Sequence, residues 1–192
     1  MTYAKQELSL LNKIVNDIDL QLKEFNEIVP YEYNKDAYSP RLVNLFLTTC
    51  TVIESFCKLI QVECNLPTLE KNGGIRELLK NIDKNGVLSN MEWITDFNEH
   101  FQPFDGVYDW WSKNNDAKHD LKTNILNIKY RDVLTTIVAL HSLERLANAK
   151  FDEIKPVIGL DLLNIATWEK KSNRWYKTTH DLFHTFTAPR SI

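Results

Sequence analysis

The sequence predicts an all-α fold: a four- or five-helix bundle with short satellite helices and an irregular C-terminal extension. Three observations carry this. Apolar residues recur at three- and four-residue intervals along three long stretches, residues that start and stop helices bracket those stretches, and five Gly and six Pro in 192 residues leave few breaks. With 43% hydrophobic residues the chain has enough apolar material for one sizeable core. We therefore expect a bundle over residues 1–150, with residues 151–192 packed on the same domain as an extension.

In chain order, Tyr3 to Ile28 carries Leu8, Leu11, Ile14 or Val15, Ile18 and Leu22 on one face, with Lys, Asp and Glu on the others, which is a first helix. Pro30 ends it, and Tyr31 to Tyr38 is a connector. Ser39-Pro40 opens the second helix, Ser as N-cap and Pro at the first helical position, where a missing N–H costs nothing. Its stripe of Phe46, Cys50, Ile53, Cys57, Ile60 and Cys64, flanked by Leu42, Val43, Leu45 and Leu59, is wide enough for the centre of a bundle, and Pro67 ends it. A Gly73-Gly74 turn precedes a short helix on Ile75, Leu78, Leu79 and Ile82, which Asn85-Gly86 closes. Ser89 is the expected cap of another short helix through Trp93, Ile94, Phe97 and Phe101, and Asp105 that of a helix carrying Val107, Tyr108, Trp111, Asn115 and His119. After a polar loop, Leu121 to Asn127, the last long helix runs from about Ile128 to Lys150 on Val133, Leu134, Ile137, Leu140, Leu143 and Leu146.

Composition excludes some functions. A net charge of −3 argues against coating nucleic acid by bulk charge but leaves room for a local basic patch. The first residues lack a basic segment followed by an apolar one, and no apolar run is expected to approach the roughly 20 residues of a membrane span. The expectation is a cytoplasmic protein with no membrane partner. Cys50, Cys57 and Cys64 fall seven apart on one helix face rather than in the close pairs of a zinc site, so they read as reduced core residues buried against the last helix.

The polar groups best placed for chemistry cluster between Phe104 and Asp120. On a helix Tyr108, Ser112, Asn115 and His119 form a column, while Lys113 lies about 120° round from His119. An imidazole can take a proton from a ribose 2′-OH or give one to the leaving oxygen, and cations such as Lys113 and Lys118 can hold the charge that grows on phosphorus. The structural alternative is that His119 hydrogen-bonds the loop after its helix while Tyr108 and Asn115 form a network.

Trp110-Trp111-x-x-Asn114-Asn115-x-x-Lys118-His119-Asp120, followed by Arg131-Asp132-Val133-Leu134 and Ala139-Leu140, resembles the histidine-bearing helix and the next helix of the HEPN superfamily. Val52 to Lys58 is similar to an earlier bundle helix of that group, so the resemblance spans residues 39–150. It implies a helical bundle, often a homodimer, whose active members cleave RNA without metal and serve in toxin–antitoxin or antiphage systems. On this reading His119, Lys113 and Lys118 are catalytic, Asn114, Asn115, Asp120 and Tyr108 support them, no cofactor is needed, and RNA and an antitoxin or defence protein are the partners. Active members place Arg four to six residues before the His, where this chain has Lys113, Asn114 and Asn115. Lys keeps the charge but not the planar fork that suits phosphate. The alternative is a catalytically inactive interaction module.

Beyond Phe151, Trp168 and Trp175 flank a basic segment that fits a helix or a short hairpin; its aromatic and basic residues suit either nucleic acid or a solvated face. His180 and His184 have helical metal-ligand spacing but lack further donors, so no metal is expected there. His100 and His141 carry no motif, the latter sitting beside the core stripe of the last helix.

Overall fold

The computed structural model describes residues 3–67, 74–84, 86, 88–89, 93–95, 99–150, 163–164, 167–171 and 174–178. It is an all-α bundle built on three long helices, α1 (Tyr3–Ile28), α2 (Pro40–Glu63) and α6 (Tyr130–Lys150). The shorter α4 (Asp109–His119) packs on α2 and α6, and α3 (Ile75–Ile82) packs on α2. A single turn, α5 (Leu121–Asn124), follows α4.

α1 buries the stripe read from its sequence, Leu8, Leu11, Val15, Ile18 and Leu22, and adds Phe25; of the two neighbours offered, Val15 is the buried one and Ile14 is only partly covered. Fully burying an aliphatic side chain stabilises by about 1.5–3 kcal/mol, which is why a continuous stripe decides the helix. Ser39 caps α2 through its hydroxyl, which accepts the Leu42 N–H at 3.1 Å. α2 touches α1, α3, α4 and α6, so it is central. By length and composition α2 is apolar enough to cross a bilayer, although 61% of its most apolar stretch is buried inside this structure. Cys50 and Cys57 are buried, whereas Cys64 is only half-buried, because it stands at the helix end where the bundle no longer covers it.

α6 is enclosed on almost every side between Val133 and Leu143. Its first turn is tied to the connector after α1: Tyr130 and Arg131 donate their N–H groups to the carbonyls of Ala37 and Lys35 at 2.9 and 3.0 Å. The connector is ordered by Tyr31, a fully buried ring edge-on to Tyr130 at 5.0 Å, and Tyr130 in turn meets Phe25 at 5.2 Å. This aromatic layer closes one end of the α1–α6 contact.

Four expectations need correction. Trp93 and Phe101 do not lie on a helix: β1 (Trp93–Thr95) pairs antiparallel with β2 (His100–Phe101), Trp93 opposite Phe101, while Phe97 lies outside the described residues. The Trp93 and Phe101 rings enter the core, and the Trp93 indole N–H donates to the Ser142 hydroxyl of α6 at 2.9 Å. Ser89 opens no helix among the described residues; its N–H donates to Asp83. Asp105 does not cap α4: its carboxylate accepts the Val107 N–H across a tight turn in which Gly106 has φ +95°. The helix starts later, at Asp109, after Tyr108 in the left-handed region (φ 55°), and Val107 is exposed rather than core. The loop after His119 is itself wound, as α5 and a 3-10 turn at Ile125–Asn127.

Beyond α6, β3 (Leu163–Asn164) adds to the far side of β1. β4 (Thr167–Lys171) and β5 (Arg174–Thr178) form an antiparallel hairpin, which decides between the two readings of that segment. His180 and His184 lie outside the described residues.

Candidate functional site

α4 is anchored on one face and open on the other. Trp110, Trp111, Asn114 and Ala117 are buried, at positions that return to one side of a helix, while Asn115, Asp116, Lys118 and His119 face outward. Trp110 fixes the start, donating its indole N–H to the Pro103 carbonyl at 2.8 Å with Phe104 edge-on to it. Asn124 fixes the end, its amide donating to the carbonyls of Asp116 and Asp120, each at 3.1 Å, which satisfies carbonyls the helix leaves open.

His119 stands exposed on the last turn of α4 and makes no hydrogen bond or ion pair among the described residues. Lys118 beside it folds back: its Nζ lies 5.3 Å from the centre of the Trp111 ring and 3.9 Å from Glu54 Oε2 on α2. Glu54 is already held by Lys58 at 2.8 Å, so Lys118 is only loosely engaged.

Lys113 is engaged elsewhere. Its Nζ meets Asp132 Oδ1 of α6 at 2.6 Å, while Asp132 Oδ2 accepts the Lys129 N–H at 2.8 Å. One carboxylate thus caps α6 and ties α4 to it. The single chain therefore does not bring Lys113 to His119, in keeping with their positions around the helix.

The supporting residues divide. Asp120 caps α5, accepting the Thr123 N–H at 3.2 Å, and hydrogen bonds from Thr123 hold its carboxyl below the usual range. Asn115 is exposed. Tyr108 is buried at the head of α4, its phenol pushed up by burial and then by the charges of Asp83 and Asp105, so the polar column begins at Ser112 rather than at Tyr108. Ser112 receives a hydrogen bond from the Arg76 guanidinium of α3, a contribution that no spacing within α4 reveals. Asn114 is fully buried, and neither its amide oxygen nor its nitrogen has a hydrogen-bond partner among the described residues.

No group of three or more His, Cys, Asp or Glu able to hold a metal occurs among the described residues. No family model, no curated protein and no solved structure matches this chain.

A second polar cluster was not singled out by sequence. His141 is buried between Asp19 and Glu144, and Asn12 and Asn148 pair nearby. The available signal was a titratable residue on an otherwise apolar stripe of α6, with Glu144 three residues on.

Proposed function

We propose that this chain is a HEPN-like RNA-binding domain that cleaves RNA without metal as a cytoplasmic homodimer, within a toxin–antitoxin or antiphage system. The observation that supports it best is the unengaged imidazole of His119 on a helix otherwise fixed at both ends, with the loosely held Lys118 next to it. In the reaction, one imidazole takes the proton of a ribose 2′-OH, and the oxygen attacks the neighbouring phosphorus. The bond from phosphorus to the 5′-oxygen breaks, and that oxygen receives a proton from a second imidazole, His119 of the partner copy. Lys118 holds charge on the phosphorane, and Lys113 joins it by leaving Asp132.

A second reading, an inactive interaction module with an antitoxin-like or defence partner, draws on the Lys113–Asp132 pair: a cation that ties α4 to α6 has a structural use of its own. Incubation with mixed cellular RNA in excess chelator separates the two. The proposal expects fragments ending in 2′,3′-cyclic phosphate and 5′-hydroxyl. Cleavage abolished by chelator contradicts the mechanism, and intact RNA across diverse substrates moves the assignment to the interaction module.

A further inference from the structure

α1 and α6 run antiparallel, since contacts that advance along one retreat along the other: Asn12 with Asn148, Asp19 with His141, Asn26 with Tyr130. At the Tyr130 end the contact is aromatic, but further along it is polar. Asn12 and Asn148 exchange amide hydrogen bonds of 3.0 and 3.4 Å. Two helical turns on, the His141 ring is 1% exposed, with Nε2 2.9 Å from Asp19 Oδ1 of α1 and Nδ1 3.0 Å from Glu144 Oε2.

A neutral imidazole has one N–H, and an ionised carboxylate only accepts. Both contacts are hydrogen bonds to carboxylates only when both ring nitrogens carry protons. With both carboxylates ionised, the ring wedged between Asp19 and Glu144 is an imidazolium that donates one N–H to each. Beside it the Arg145 guanidinium lies over the Trp93 ring at 5.0 Å; burial pushes it down to about 10, which leaves it cationic at neutral pH. The protonated ring thus faces two carboxylates in an enclosed space, and removing either sign leaves a buried charge without compensation.

We propose that Asp19, His141 and Glu144 form a proton-dependent latch that holds α1 on α6, and that the docking of α1 loosens when the single proton shared between these two helices leaves. The groups facing the ring are Asp19 from α1, Glu144 from α6 and the uncharged Trp93 ring from β1, 6.2 Å away, over which the Arg145 guanidinium of α6 lies. Burial by itself lowers the affinity of His141 for its proton; the charge and hydrogen bond of Asp19, then those of Glu144, outweigh it and raise the ring to about 9 from 6.5. Between those two values the unfolded chain has lost the proton and the folded chain keeps it, so stability falls with rising pH across the window. The contribution is full below about 6.5 and gone above about 9.

The test uses the whole chain and two measurements. Ring ¹⁵N shifts of His141, assigned by their loss in His141→Gln, are expected to report both nitrogens protonated at pH 7. Denaturation midpoints from pH 6 to 10 are expected to show the folding constant falling by up to about tenfold per pH unit inside the window, the limit for one proton. His141→Leu alone strands two carboxylates and can fail to fold, so the triple variant Asp19→Leu, His141→Leu, Glu144→Leu carries the comparison; it should fold and lose that slope. Amide exchange of α1, compared at one pH, should be faster in His141→Gln than in the native chain. A ring with a single proton at pH 7 overturns the latch, as does a triple variant whose stability falls in parallel with the native protein across the window.

Discussion

Asn114 is the residue whose environment is hardest to reconcile with stability alone. A buried amide without a partner costs about 1–3 kcal/mol, and a leucine of similar size carries no such cost. Asn114→Leu should therefore raise the denaturation midpoint; a loss of stability would show that the amide is hydrogen-bonded after all. The cysteines give a second prediction at this scale. Burial pushes the Cys50 and Cys57 thiols up and shields them, whereas Cys64 is half-buried at a helix end. One thiol should react in the folded protein and three after unfolding, and rapid native labelling of all three would contradict the packing of α2. The seven-residue spacing makes the burial of Cys50 and Cys57 legible, but it carries no information on where the bundle stops covering the helix, which is why it also predicts a buried Cys64.

Legibility at the scale of elements followed length and period. α1, α2 and α6 have 26, 24 and 21 residues, so their apolar stripes repeat often enough to fix the period, and Ser39-Pro40 marks the start of α2 by a mechanism. Ser39→Ala should cost about 1 kcal/mol, read by chemical denaturation, because it removes the acceptor for the Leu42 N–H. An unchanged midpoint would mean that Pro40 alone sets the helix start. The stretch from Trp93 to Phe101 is too short for periodicity to separate helix from strand; its pairing depends on β3, about seventy residues away, and on Ser142 of α6, contacts that no local window contains. The start of α4 differs from the expected one for a related reason. Asp105 is a good cap by type, yet Gly106 and a left-handed Tyr108 turn the chain before the helix begins. Lys113 shows the limit for the site: sequence places it off the His119 face, but only the fold shows that Asp132 holds it.

At the scale of the whole molecule, the bundle presents α4 with its anchored face inward and His119 outward, and α4 carries one imidazole per copy. A reaction that needs both a base and an acid accordingly asks for two copies, so the active species should be a dimer. The most direct test is the rate of RNA cleavage, with chelator present, by wild type and by His119→Ala at equal concentration, after both give the same mass by sedimentation. Losing a general acid–base group costs roughly 100- to 10,000-fold in rate, and the account predicts a loss of that size with the fold and dimer retained. Equal rates in the two proteins would contradict it.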